Sequence, residues 1–231
     1  PGNLEGTIAR AQRGNLNVAP SQAIAVAGAL FSQGKYAQAE QVCRQIIAAR
    51  PQLADPHNIL GVSLDAQAKA DEAIVSLNRA IARAPSIASY RANLGEILRQ
   101  NGLVEEAEKE LQAAIDLDAC NAQAQNNLGI IHFERKEFEA AADYYRRALA
   151  VRPAMAEAHN NLGNALRMAG DPAGAMQAYQ DALTHREIYP EAYNNLGTLL
   201  QQDNRLEEAE RALKEAIAQN PRYAEAHNKL R

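Results

Sequence analysis

Asn93, Asn127, Asn161 and Asn195 follow one another at intervals of 34 residues, and Asn126, Asn160 and Asn194 stand directly before the last three. A carboxamide offers a carbonyl acceptor and an amide donor, so it can bond both polar groups of a peptide unit, and amides at a fixed period would grip an extended backbone at successive steps. These residues are expensive where they stand. The stretch "NNLGN", Asn160 to Asn164, lies inside a helix-like segment, where Asn and Gly each cost roughly 0.5 to 1 kcal/mol relative to Ala. Two explanations stay open: a ladder that recognises a polypeptide backbone, or a sequence copied by duplication and retained on a solvated face.

Other residues capable of chemistry are less well arranged. His57, His159 and His227 are separated by multiples of the same interval and read as repeat-core residues. His132 faces the core and His185 lies near a loop, neither with a matched Cys, Asp or second His at ligand spacing. Cys43 stands where other repeats carry Leu or Tyr and reads as a small core hydrophobe; together with Cys120 it lacks the CxxC spacing of a redox or zinc site. A phosphate-binding glycine loop, a nucleophile elbow and a Ser–His–Asp signal are all missing. The expectation is a chain without catalytic residues, metal or cofactor.

The scaffold that must position the asparagines is legible in the bulk properties and in the period. The chain has 231 residues, 47% of them hydrophobic, and a net charge of -4 with both signs mixed along its length. That balance supplies no basic stripe for a phosphate backbone, so nucleic acid is not expected as a partner. Neither a membrane-length apolar run nor a signal-peptide pattern occurs, so no membrane association is expected, and a cytoplasmic location is. The chain opens on Pro1 and Gly2 and stops at Arg231 inside a repeat; both ends are expected to be cuts from a longer protein.

Gly61, Gly95, Gly129, Gly163 and Gly197 mark the period, with Ala27 in the corresponding earlier place. Six units follow at 20–53, 54–87, 88–121, 122–155, 156–189 and 190–223, and a seventh begins at 224–231. Small residues recur at position 20 of the unit (Ala39, Ala73, Ala107, Ala141, Ala175, Ala209), and position 24 is Cys43, Leu77, Leu111, Tyr145, Tyr179 or Leu213. Apolar or small residues at positions 4, 7, 8 and 11, and again at 20, 24, 27 and 28, predict two amphipathic helices per unit. Gly34, Gly102, Gly170 and Asn204 at position 15 predict a left-handed turn between them, a rule from which Ala68 and Lys136 depart. Asp171 and Pro172 read as an N-cap and first-turn proline. Pro51, Pro85, Pro153 and Pro221 close four units.

A 34-residue helix-turn-helix unit with "LG", Ala at positions 20 and 27 and Pro at 32 resembles the tetratricopeptide repeat, over residues 20 to 231. Ala119 and Glu187 replace the closing proline, and position 4 never holds the family's Trp. The resemblance implies an all-α fold, a right-handed superhelical solenoid of antiparallel helix pairs. Residues 1–19 fall outside the register and could form a short capping helix. Around the first helix, positions 4, 7, 8 and 11 build the core while 2, 5, 6, 9 and 13 lie roughly opposite. Gly at position 8 is thus a packing requirement, and the asparagines at 5 and 6 are expected to point away from the core, where Ala would leave the fold intact.

In tetratricopeptide arrays that opposite face lines the concave groove, and the pattern looks like the asparagine ladder that precedes the catalytic domain of O-linked N-acetylglucosamine transferases. The resemblance implies a groove holding an extended protein or peptide, with Asn93, Asn127, Asn161, Asn195, Asn126, Asn160, Asn194, Asn164, Arg99 and Arg167 as its contact residues. Glu96, Glu134, Glu157 and Glu191 oppose the two arginines, so the ligand is expected to be chosen by backbone more than by charge. A clamp for terminal carboxylates is disfavoured, because Lys229 is the one basic residue at positions 5 and 6. The leading expectation is a non-catalytic protein-interaction module. Two alternatives remain: the substrate-recruiting region of a glycosyltransferase or other transferase, and a scaffold that self-assembles through its terminal repeats.

Overall fold

The computed structural model describes residues 19–230, and these contain helices and turns but no strand. The helices divide between two compact units, one ending at Asn121 and the other beginning at Ala122. The first holds α1 (Pro20–Ser32), α2 (Tyr36–Ala49), α3 (Asp55–Asp65), α4 (Ala70–Arg83), α5 (Ala88–Gln100) and α6 (Val104–Leu117). The second holds α7 (Ala122–Glu134), α8 (Phe138–Val151), α9 (Ala156–Met168), α10 (Pro172–His185), α11 (Pro190–Gln202), α12 (Leu206–Gln219) and the short α13 (Ala224–Lys229). Each is an all-α repeat array built of helical hairpins. The capping helix expected within 1–19 lies outside the described residues except for Ala19, which immediately precedes α1.

Every hairpin turns the same way. Position 15 takes a left-handed conformation in all six, at Gly34, Gly102, Gly170 and Asn204, and equally at Ala68 (φ 59°) and Lys136 (φ 65°). The next residue then donates its N–H back to the carbonyl of position 11, as from Lys35 to Leu30 (2.9 Å), Lys69 to Leu64 (3.0 Å) and Glu137 to His132 (2.9 Å). This six-to-one bond satisfies a carbonyl that the helix end leaves open. Ala68 and Lys136 are therefore no exceptions to the turn; they adopt it with a side chain that disfavours it. Asp171 caps α10 by accepting from the Gly174 N–H at 2.9 Å.

Inside each hairpin, position 8 meets position 24. A Cβ added to Gly95 would lie 2.5 Å from Leu111 Cγ, and one added to Gly163 would lie 2.5 Å from Tyr179 Cε1. These are distances that no real methyl tolerates, so the large side chain occupies the space the glycine vacates. The first hairpin solves the same problem in reverse, with Ala27 opposite the small Cys43, both fully buried. Neighbouring hairpins then stack. Within each unit the first helix of a hairpin packs on both helices of the one before: α3 on α2 and α1, α9 on α8 and α7, and α11 on α10 and α9. The asparagines ride on these first helices.

Candidate functional site

Position 6 of one repeat reaches position 5 of the repeat before it. In the first unit, Asn93 Nδ2 donates to Asn58 Oδ1 at 2.9 Å. In the second, Asn161 donates to Asn126 at 3.4 Å and Asn195 to Asn160 at 3.0 Å. Lys229, at position 6 of the last repeat, places its ammonium 3.4 Å from Asn194 Oδ1 and so substitutes for the missing amide. The series is interrupted at Ala92, which occupies position 5 of its repeat, and Asn127 donates to the Gln123 carbonyl one turn back on its own helix.

These bonds correct the expectation that positions 5 and 6 both face away from the core. Asn126, Asn160 and Asn194 are buried, the last completely, and Asn127 is buried too, whereas Asn93, Asn161 and Asn195 remain half-exposed. The reason is the neighbour. A helical wheel gives each first helix one packed side, but in a stack it is also flanked by the first helix of the next repeat, and position 5 looks at that contact. The ladder is thus partly an internal one.

It is not wholly spent. An Asn side chain can make about four hydrogen bonds, and the link between repeats uses one N–H of the donor. The carbonyl oxygens of Asn161 and Asn195 accept from no described residue. They stand about 34 residues apart in sequence and one hairpin apart in space, available to N–H donors from outside.

The remaining expected site residues divide. Asn164 Oδ1 accepts from the Tyr179 hydroxyl at 2.8 Å and so serves its own hairpin. Arg167 is half-buried; its charge acts on the Tyr179 hydroxyl and on Glu225. Arg99 is half-buried on α5. Lys229 is the residue that sequence reasoning undervalued: besides Asn194 it reaches Thr198 Oγ1 at 2.5 Å and Glu225 Oε1 at 2.6 Å. The hydrogen bond from Lys229 holds the Glu225 carboxyl below its ordinary range. The position of Lys229 in the period, shared with Asn93, Asn127, Asn161 and Asn195, was the available signal.

The histidines play three structural parts. His159 Nε2 lies 2.8 Å from the Pro153 carbonyl and His227 Nε2 lies 3.0 Å from that of Pro221, latching each repeat to the proline that closes the previous one. At His57 the corresponding carbonyl of Pro51 receives Arg83 Nε at 2.5 Å. Both ring nitrogens of His57, buried at 2% exposure, are left without a partner. Burial, and then the Arg83 charge, hold its pKa below the usual value. His132 stacks on Tyr144, and His159 on His185. Among the described residues no cluster of three His, Cys, Asp or Glu side chains could hold a metal ion, and no helix is long and apolar enough to cross a membrane. The Cys43 thiol is pushed up to about 12 by burial, with the Glu40 charge adding to it.

Three family models, each described as a tetratricopeptide repeat, match residues 85–154, 126–193 and 166–231. A search of curated proteins returned no match. Among solved structures, a chain of the APC/C hetero-tetramer Cut9-Hcn1 superposes with a TM-score of 0.88 at 19% identity, over 99% of this chain. This chain spans 45% of that one's length. PilF of Pseudomonas aeruginosa gives 0.80 at 18% identity, covering 90% of this chain and 95% of its own. YrrB, titled a TPR protein with an unusual peptide-binding site, gives 0.61 at 19% identity, covering 80% and 96%. At these identities the likeness is one of fold.

Proposed function

Because the chain belongs to the tetratricopeptide repeat family, whose fold serves as a protein-interaction module, we propose that the face bearing Asn161 and Asn195 holds an extended segment of another polypeptide by its backbone. The observation that carries this reading is the pair of side-chain carbonyls on α9 and α11 that no internal donor uses. A backbone N–H is the donor they fit, because it recurs along an extended chain whatever the side chains are. Asn93 is the corresponding residue of the first unit, while Asn126, Asn160 and Asn194 support the face of the second unit from behind.

The test selects unstructured peptides from a display library on the wild-type protein and measures them against the Asn161→Ala/Asn195→Ala variant. Two lost hydrogen bonds of about 1 kcal/mol each predict binding weaker by about thirtyfold. Peptides N-methylated at single backbone positions should lose affinity at the residues that face Asn161 and Asn195. Uniform tolerance of N-methylation, with the double variant binding as the wild type does, would overturn the proposal.

A further inference from the structure

Two consecutive repeats of the second unit carry the same pair of groups beside the start of a first helix: Glu157 with Tyr189, and Glu191 with Tyr223, each 34 residues further on. In the first pair the space between them is filled. The Arg186 guanidinium lies 4.8 Å over the centre of the Tyr189 ring, and its Nη1 is 3.4 Å from Glu157 Oε1. A guanidinium suits such a slot because its planar face meets the negative face of the ring while its N–H edge meets the carboxylate.

In the second pair the described residues supply no such cation. The residue 34 places after Arg186 is Asn220, which is neutral and whose Oδ1 accepts from the Arg222 backbone N–H at 3.2 Å. Glu225, the next carboxylate in the row, is engaged by Lys229. Glu191 is exposed and has no hydrogen-bond or ion-pair partner among the described residues. Its charge reaches the half-buried Tyr223, whose hydroxyl is made less acidic chiefly by burial and further by Glu225 and Glu191. The repeat therefore contains its own comparison: the same two groups, once with a guanidinium and once without.

We propose that Glu191 and Tyr223 form a receptor for an arginine side chain of the bound polypeptide. The nature of the partner rests on the backbone-binding reading above; the slot itself rests on the Arg186 precedent. Glu191 lies four residues before Asn195 and so on the same side of α11. An arginine seated there would present its own backbone within a helical turn of the Asn195 carbonyl. The slot thus sets a register for a ligand that backbone contacts alone would let slide.

The test uses the full chain, isotopically labelled, and three capped pentapeptides, Gly-Gly-Xaa-Gly-Gly with arginine, lysine or citrulline at the centre. We expect the arginine peptide to shift the resonances of Glu191 and Tyr223, with citrulline inert and lysine weaker. Glu191→Gln alters an exposed, unpartnered side chain, so its melting temperature should stay unchanged while arginine-peptide binding weakens about fivefold or more. Arg186→Ala should open the older slot and add a second set of shifts at Tyr189 and Glu157. Equal binding of lysine or citrulline, binding indifferent to Glu191→Gln, or shifts spread evenly over the acidic surface would each overturn the assignment. Since the pentapeptides have no need of the asparagines, failure of the backbone reading would leave this result standing, and the reverse.

Discussion

The side-chain amide of Asn195 donates to the side-chain carbonyl of Asn160, 35 residues earlier, at 3.0 Å. One bond thus joins a buried residue that no ligand can reach to a half-exposed one that a ligand can, and the two ends separate the structural role of the ladder from its binding role. Asn160→Ala and Asn195→Ala break the same bond. We expect each to destabilise the protein by about 1 kcal/mol in urea denaturation, since each leaves a polar partner unsatisfied. Only Asn195→Ala removes the outward carbonyl, so peptide binding should fall for it and hold for Asn160→Ala at temperatures where both are folded. Equal loss in the two variants would assign the ladder to stability alone.

The glycine at position 8 can be tested by its compensation. Gly163→Ala sets a methyl against Tyr179 Cε1 at 2.5 Å, an overpacking expected to cost about 1 to 3 kcal/mol. The Ala27 and Cys43 pair of the first hairpin shows the combination that fits. In a Tyr179→Cys background the same Gly163→Ala change should therefore cost nothing or stabilise. A double-mutant cycle with purely additive energies would contradict this coupling.

Lys136 holds φ at 65° with a full side chain, where an L-residue other than Asn pays about 1 to 2 kcal/mol. Lys136→Gly should recover about 1 kcal/mol of that in the denaturation midpoint, the gain reduced by the extra freedom of glycine in the unfolded chain. Asn204→Gly should recover much less, because Asn tolerates the conformation. If Lys136→Gly destabilises, the turn is not strained as its backbone indicates.

His57 makes stability depend on pH in a defined direction. Its folded pKa is depressed by burial and by the Arg83 and then the Arg79 charge. The neutral ring costs nothing extra above the unfolded value near 6.5. As pH falls below that value, the unfolded chain takes up a proton that the folded one resists, and stability drops until the folded pKa is passed. His57→Leu should remove this dependence, so that the difference between the two melting curves grows from about pH 7 downward. A difference independent of pH would mean that the ring titrates in the fold as it does in the unfolded chain, and so is not shifted by its burial.

The helices and the packing of position 8 against position 24 were legible because a fixed period reports them six times over. Gly163 could be read as a space left for Tyr179 without coordinates. Asn160 could not be read correctly, because its burial comes from the following repeat, and a wheel drawn for one helix contains no neighbour. Ala68 and Lys136 misled for a different reason: tertiary closure of the hairpin outweighs a local preference of a kcal/mol or two, and the turn forms without its favoured residue. Nor does sequence reveal that Arg83 takes the carbonyl His57 would otherwise share, since this depends on which of two long reaches arrives first.

Each repeat that carries "NN" brings a donor for the repeat before it and an acceptor for the repeat after it. Such a unit is interchangeable: duplicated in frame, it joins its parent with no further adjustment, and removed whole, it lets its neighbours close on one another through the same pair of groups. Copying and selection are then not rival histories for these asparagines. A duplication that preserved both residues would assemble at once, while one that lost the first, as at Ala92, would break the sequence of links at that step. The array can in this way lengthen or shorten by whole units over generations, and each added unit extends the outward row of carbonyls by one.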